Sequence, residues 1–332
     1  MSTRLTSGEA PAGPRASGRA FGAFLRYAAL RAVLGVGVLW SAATLGFLTL
    51  RLVPGDTAYA IVGGPEASPS PEVLAQVRLE HGLDRPWYEQ YGAYLVRLLQ
   101  GDLGESYRLR RPVADAIGEQ LGATVTLGLT AAALAVTIAV VAALVTAKRG
   151  RWVRGTSSAA ELFLIAAPGF WIGIVLLTIF SFGLGWLPSI GSEGWPSLVL
   201  PAVTIAIGSA AVLTQVLREA LEQALDEPFI TSARARGLGE TGVRLGHALR
   251  HALLPLATMS GFVVGGLLGG AVIAESLFGR QGVGRMLLTA VNSKDMPMVL
   301  GLVLLSALAY VVVNFVVDLA YPLIDPRLRG AT

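Results

Sequence analysis

Long apolar runs separated by polar segments make up most of this chain. Six runs have about the 20 residues that a helix needs to cross a hydrocarbon layer about 30 Å thick. These runs cover residues 32–50, 121–147, 162–186, 198–217, 252–274 and 299–319. The first run is longer than the apolar core of a signal peptide, so we interpret it as a permanent span. The pattern predicts an all-α membrane protein with six transmembrane helices.

Basic residues lie mainly on one side of the predicted spans. Most of the 26 Lys and Arg residues fall in the N-terminal arm, the second and fourth connections and the C-terminal segment. The positive-inside rule therefore predicts that both termini are cytoplasmic. Residues 54–120 then form a long extracytoplasmic loop, and residues 218–251 form a cytoplasmic loop. The composition of residues 1–25, rich in Ser, Gly, Pro and Ala, predicts a disordered cytoplasmic arm before a transmembrane domain over 26–330.

The composition excludes several soluble classes of protein. Of the 332 residues, 53% are hydrophobic and 14% are charged, whereas a soluble domain has about 25% charged residues. An ordinary soluble enzyme and a nucleic-acid-binding module are therefore excluded. The net charge of +4 is too small to indicate a polyanionic partner. Because the chain has no cysteine, it has no disulfide, thiolate metal site or cysteine nucleophile.

The sequence carries no energy-coupling chemistry of its own. Apart from Asp318 at the end of the last run, the six runs contain no Asp, Glu, Lys, Arg or His, which argues against a proton- or sodium-coupled carrier. A phosphate-binding loop of the type G-x-x-x-x-G-K-[ST] is also missing, since neither Lys148 nor Lys294 has that context. If ATP drives the protein, the ATPase must be a separate chain.

No catalytic, cofactor-binding or metal-binding residues are expected in this chain. His247 and His251 share a helix face, but Ala248 stands where a zinc protease has its glutamate. The sequence also lacks a G-x-S-x-G nucleophile elbow. A membrane enzyme is therefore disfavoured.

Glycines in the fifth run form a regular pattern. Gly261, Gly265 and Gly269 recur every four residues, and Gly266 and Gly270 form a second pair. Such spacing gives a helix bare ridges that another helix can approach closely. Two interpretations stay open together: the ridge packs tightly against another helix, or it lines a passage.

The cytoplasmic loop 218–251 has the start and stop signals of a short capped helix. The fourth helix continues to Leu225, acidic residues precede Pro228, and Gly237 ends the new helix. A two-turn helix is not stable alone in water, so it needs a partner surface. Its candidate contact residues are Phe229, Ile230, Thr231, Ala233, Arg234, Gly237 and Leu238.

The same loop carries a family resemblance. Residues 231–238 read Thr-Ser-Ala-Arg-Ala-Arg-Gly-Leu, and residues 247–255 read His-Ala-Leu-Arg-His-Ala-Leu-Leu-Pro. These segments closely resemble the "EAA" loop of permease subunits of ATP-binding cassette importers, in the dipeptide, oligopeptide and nickel permease branch. Further segments resemble that branch in the same order, at residues 51–56, 82–86, 90–91, 101–106, 185–188 and 325–327. One departure is Gln281 before Gly282-Val283-Gly284, where the family usually has Pro.

The resemblance implies a type I importer permease fold in the cell membrane. It implies three kinds of protein partner in addition to the lipid membrane: a homologous second permease, two cytoplasmic ATPase subunits and an extracytoplasmic solute-binding protein. ATP would be bound on the partner subunits alone. The helix over 228–238 would then couple the ATPase to transport, and this chain would form half of the pathway for peptides or related small solutes. The alternative function is a passive channel or a membrane scaffold, which would act without these partners.

The loop 54–120 allows two interpretations. Its aromatic residues are Trp87, Tyr88, Tyr91, Tyr94 and Tyr107. They fit a platform on which the solute-binding protein docks. They fit equally an amphipathic helix whose aromatic belt lies at the membrane interface.

Overall fold

The computed structural model describes residues 15–52, 56–62 and 69–324, and these residues are organised as helices. A single isolated bridge joins Glu105 and Pro112 within this part of the chain. Some helices continue into π-helical turns, over Leu177–Gly183 after α7 and over Val243–Ala248 between α10 and α11. The helices are α1 Arg15–Leu52, α2 Thr57–Val62, α3 Pro71–Glu80, α4 Trp87–Leu99, α5 Val113–Thr146, α6 Arg151–Ala166, α7 Gly169–Leu176, α8 Pro196–Leu225, α9 Pro228–Ala235, α10 Glu240–Gly242, α11 Leu249–Thr258, α12 Ser260–Leu277, α13 Val283–Asn292 and α14 Met296–Ile324.

Among the described residues, four helices are long and apolar enough to cross a membrane. They lie in Leu25–Thr49, Val113–Thr146, Pro196–Leu225 and Met296–Leu319. A fifth span is possible if α6 and the helix over Gly169–Gly183 count together. The shorter apolar helix Gly265–Leu277 lies in the predicted fifth run. The all-helical fold agrees with the prediction, whereas the count of six spans stays a prediction.

The third predicted span is not one straight helix. The axis turns by 105° between α6 and the helix over Gly169–Gly183. The bend lies at Ala167 and Pro168, because proline has no backbone N–H and pushes the preceding residue into an extended conformation. The predicted fifth span is likewise divided between α11 and α12 at Met259.

The N-terminal helix begins earlier than the sequence analysis predicted. The prediction of a disordered arm over 1–25 is wrong for residues 15–25, which belong to α1. Good helix formers, Ala, Arg and Leu, are interspersed with the Ser and Gly of this segment, and they continue the apolar helix towards its N-terminus. Residues 1–14, 53–55 and 325–327, on which other predictions fell, lie outside the described residues.

The first and last helices pack antiparallel. A Cβ added to Gly35 would lie 2.7 Å from Val311, and one added to Gly46 would lie 2.6 Å from Leu300. The side chains of Arg31 and Asp318 form an ion pair at 3.1 Å. This pairing brings the N-terminal end of α1 and the C-terminal end of α14 to the same end of the bundle.

Helix α8 lies at the centre of the molecule, where it packs against α5, α6, α7, α11 and α12. A stripe of alanines on α5 is fully buried, and part of it packs against Ala206 and Ala210 of α8. Small residues at four-residue spacing let two helix backbones approach closely in a membrane. The stripe consists of Ala131, Ala135, Ala139 and Ala143.

Candidate functional site

The short helix α9 has the ends that the sequence predicted. Glu227 precedes it in an extended conformation, and Pro228 occupies its first turn. Gly237, two residues after the helix, has a φ of +84°, which glycine adopts at little cost because it lacks a Cβ. The chain can therefore turn sharply from α9 towards α10.

The inner face of α9 belongs to the core of this chain. Ile230 and Ala233 have no exposed surface, and they pack in one cluster with Leu217 and Leu221 of α8. The structure leaves these two residues, which were predicted to couple the chain to the ATPase, no exposed surface for a partner, because α8 and the segment after α9 cover them. Their burial instead fixes α9 to the transmembrane helix that precedes it.

The outer face of α9 is free within the described part of the chain. Thr231, Ser232, Arg234 and Ala235 are exposed, and Leu238 is 40% exposed after the helix. Arg234 Nε donates a hydrogen bond to Glu240 Oε1 at 2.8 Å. This hydrogen bond lowers the pKa of Glu240, so the carboxylate remains ionised beside the helix.

Phe229 lies between the two faces. It is half-buried, and the centroid of its ring lies 4.7 Å from that of His251 in α11. The two rings border an open cavity of about 430 Å³ between α8, α9 and α11. The cavity is lined by Ala220, Gln223, Ala224, Glu227, Phe229, His251 and Pro255.

The segment after α9 is attached to two membrane helices. Arg244 Nη1 donates hydrogen bonds to the carbonyl oxygens of Leu144 at 2.9 Å and Ala147 at 3.1 Å, at the C-terminal end of α5. A cation is favourable there because the last carbonyls of a helix are unpaired and carry partial negative charge. Lys148 and Asp226 form a further ion pair at 2.7 Å between the ends of α5 and α8.

A buried ion pair between α6 and α8 was missed by the sequence analysis. Arg218 in α8 donates two hydrogen bonds to the Glu161 carboxylate in α6, at 2.6 and 2.7 Å, and both side chains are 8% exposed. Arg218 Nη1 and Nη2 also reach the hydroxyl groups of Ser157 and Ser158. Glu161 and Arg218 each lie one position outside a predicted span. An acidic and a basic residue at the ends of two spans were therefore the sequence signal that could have indicated the pair.

The two glycine ridges of α12 face different surroundings. A Cβ on Gly270 would lie 3.0 Å from Ile205 of α8, and one on Gly266 would lie 3.6 Å from Ser209. Gly265 and Gly269 have no such neighbour within 4 Å. Gly261 lies in α12, but its surroundings are outside the described residues. Within this part of the chain, α8 approaches Gly266 and Gly270, and it leaves Gly265 and Gly269 open.

Comparisons with known proteins identify the family of this chain. Residues 122–330 match the family described as "Binding-protein-dependent transport system inner membrane component". The chain is 37% identical over 306 residues to the glutathione transport system permease protein GsiC of Escherichia coli strain K12, covering 92% of this chain and 99% of that protein. The protein of the same name from Shigella boydii serotype 4 is 36% identical to this chain over 306 residues, which cover 92% of this chain and 99% of that protein.

These similarities extend from α1 to the C-terminal segment, and they include the loop that holds α9. They give no support to the alternative of a passive channel or a scaffold. Permease subunits of this family are not catalytic on their own. The chain therefore belongs to the binding-protein-dependent transport system inner membrane components, as a permease subunit of an ATP-driven importer of the peptide and nickel permease branch.

Proposed function

We propose that α9 and Gly237 form the element through which cytoplasmic ATPase subunits move this permease. On this proposal, the complete importer holds this chain, a second permease, two ATPase subunits and an extracytoplasmic solute-binding protein. Both termini and α9 then lie in the cytoplasm. The exposed face of α9 contacts the ATPase, and its buried face transmits the displacement to the membrane helices.

The division of α9 into two faces supports this role. Ile230 and Ala233 are enclosed by the core that includes α8, while the residues of the outer face are exposed, with Arg234 hydrogen-bonded to Glu240. Because protein cores are close-packed, a force on the outer face moves α8 with α9 rather than deforming the contact. The hydrogen bonds of Arg244 extend this connection to α5.

The solute that we propose is glutathione or another short peptide. The support is the similarity over nearly the whole chain to relatives named as glutathione transport system permeases. Uptake into proteoliposomes that contain the complete importer, with its solute-binding protein and ATP, tests this proposal. Labelled glutathione and a labelled tripeptide are the probes, and lack of uptake of both would refute it.

The contact of α9 with the ATPase is testable by cross-linking, because the natural chain has no cysteine. Ser232→Cys places a thiol on the exposed face of α9, and Arg151→Cys places one at the start of α6 as a control. With a short thiol-to-amine reagent, we expect the ATPase subunit to be captured through position 232 and not through position 151. Capture through neither position, or equally through both, would contradict the proposed contact.

A further inference from the structure

An open cavity of about 410 Å³ lies at the end of the bundle opposite α9. Helix α8 fixes its position, because the turn before α13 contacts the N-terminal end of α8 through Arg280 and Ser197 at 3.4 Å, whereas α9 follows the C-terminal end of α8. The cavity lies between α13, the segment before α5 and the start of α14. If α9 is cytoplasmic, this cavity faces the extracytoplasmic side.

Guanidinium groups border the cavity, and two of them lack an acidic partner. Arg111 pairs with Glu119 in a bidentate contact at 2.6 and 2.8 Å. Arg108 and Arg285 have no carboxylate within ion-pair distance among the described residues. The carboxylate of Asp295 also borders the cavity, but it accepts hydrogen bonds from Ser106 and from two backbone amides. Hydrogen bonds from neutral groups leave the charge of Asp295 in place. Among the described residues, the lining therefore holds two guanidinium groups without an acidic partner, beside the carboxylate of Asp295.

Two buried carboxylates hold the backbones of these unpaired arginines. Asp295 is 3% exposed and accepts a hydrogen bond from the backbone N–H of Arg108 at 3.3 Å. Glu275 is fully buried and accepts one from the backbone N–H of Arg285 at 3.0 Å, together with one from the Thr124 hydroxyl at 2.6 Å. A buried polar group keeps such partners because an unmade hydrogen bond is costly. The backbones of Arg108 and Arg285 are thus fixed at two sides of one cavity, and Arg285 Nη1 donates a hydrogen bond to the carbonyl oxygen of Gly279 at 2.9 Å.

The remaining lining suits a small organic molecule. Leu109, Met286, Ala290 and Met298 provide apolar surface, and Gln120, Gln281, Thr289 and Ser293 provide polar groups. Pockets for small ligands have this character, mostly apolar with a few converging polar groups, and volumes of about 300 to 1,000 Å³. Arginine is suited to a carboxylate because its planar fork donates two parallel hydrogen bonds.

We propose that this cavity binds a carboxylate group of the transported solute as the solute enters the permease. The proposal rests on the proposed function, since it assumes a peptide-like solute and a cytoplasmic α9. Arg285 and Arg108 bind the carboxylate, and Glu275 and Asp295 act as positioning residues for them. A solute without the negative charge loses this interaction and enters with a lower apparent affinity.

The test compares two probes in the complete reconstituted importer. The probes are a tripeptide with a free C-terminal carboxylate and the same tripeptide as a C-terminal carboxamide. For Arg285→Gln and Arg108→Gln, we expect the KM for uptake of the free acid to rise about tenfold for the loss of one charged hydrogen-bonded contact. The KM for the carboxamide should change less than twofold, and Arg285→Lys should recover part of the affinity.

Arg85→Gln is the matched control, because Arg85 is exposed and does not line the cavity. Equal losses with both probes, together with a higher concentration of solute-binding protein needed for half-maximal uptake, would overturn the proposal in favour of a docking contact. Unchanged uptake of the free acid by a variant that combines Arg108→Gln and Arg285→Gln would also overturn it. Lack of uptake of both probes by the unaltered importer would instead refute the proposed function on which this site depends.

Discussion

At the residue scale, several buried ionisable side chains of this permease lie where helices meet. Arg218 and Glu161 form an ion pair that joins α8 to α6. Glu275 of α12 accepts a hydrogen bond from the backbone N–H of Arg285 near the start of α13. Removing a charge from water is costly unless a partner compensates it. Each of these groups has hydrogen-bond partners from a second helix, so each one fixes where two helices meet.

Glu161→Gln is expected to destabilise the permease strongly. The substitution leaves the Arg218 guanidinium buried without its counter-charge, and such a loss costs about 3–5 kcal/mol. The measurement is thermal unfolding of the purified protein in detergent. The control is Asp226→Asn, which removes the exposed ion pair with Lys148 and should cost about 0–1 kcal/mol. Equal stabilities of the two variants would contradict the importance of burial.

Gly237→Val is expected to uncouple the importer. Valine disfavours the positive φ of this position by about 1 kcal/mol or more, so the chain after α9 should leave in a different direction. Insertion and the solute affinity of the separate binding protein should be unchanged, whereas solute-stimulated ATP hydrolysis and uptake should fall severalfold. Gly239→Ala is the control because Gly239 has an ordinary extended backbone with open space around it. Normal uptake by Gly237→Val would show that the loop only connects two helices.

Residue-level features were predictable where local chemistry decides them. Pro228 favours the start of α9 and Gly237 favours its end, because of the backbone conformations that each residue prefers. Both ends were predicted from the sequence. The burial of Ile230 was not predictable, because it depends on Leu217 and Leu221 of another helix. The sequence likewise gives no direct sign that Arg108 and Arg285, far apart in the chain, border one cavity.

At the scale of helices, α12 has two different small-residue faces. Gly266 and Gly270 approach α8, whereas Gly265 and Gly269 have open space beside them among the described residues. The sequence predicted the spacing of both ridges but not which one packs within the chain. The bend at Pro168 was missed for a related reason: the apolar run continues across it, and hydropathy does not report helix direction.

Leucine substitutions should separate these two faces. Gly270→Leu forces a side chain against Ile205, so we expect a loss of about 1–3 kcal/mol in the stability of the isolated permease. Gly265→Leu meets open space and should leave that stability unchanged, while it reduces assembly with the second permease or transport. Thermal unfolding and co-purification of the partner are the two measurements. Wild-type assembly and transport in Gly265→Leu would show that this face needs no bare backbone.

At the scale of the whole molecule, the antiparallel packing of α1 and α14 brings the N-terminal end of α1 and the C-terminal end of α14 to one side of the bundle. Helix α8 carries α9 at one end and approaches the arginine-bordered cavity at the other. The all-helical fold was predictable because long apolar runs leave the backbone few other ways to satisfy its hydrogen bonds in lipid. The number of spans was less predictable, because hydropathy does not show where a bent or interrupted helix begins and ends.

Cysteine labelling checks the orientation. Ser70→Cys lies at the start of α3 in the predicted extracytoplasmic loop, and Ser232→Cys lies on the exposed face of α9. We expect a membrane-impermeant thiol reagent to label position 70 in intact cells and position 232 only after the membrane is opened. The reverse pattern would invert the proposed orientation and would move the arginine-bordered cavity to the cytoplasm.

The two faces of α9 also have an evolutionary consequence. Under the proposed coupling role, Ile230 and Ala233 are selected for their fit to this chain's own core, whereas the outer face is selected for its fit to another gene product. Changes at Thr231, Ser232, Arg234 and Ala235 should therefore accompany changes in the ATPase sequence across related importers. A permease could then be adapted to a foreign ATPase by exchanging these four outward positions while the inward ones stay as they are.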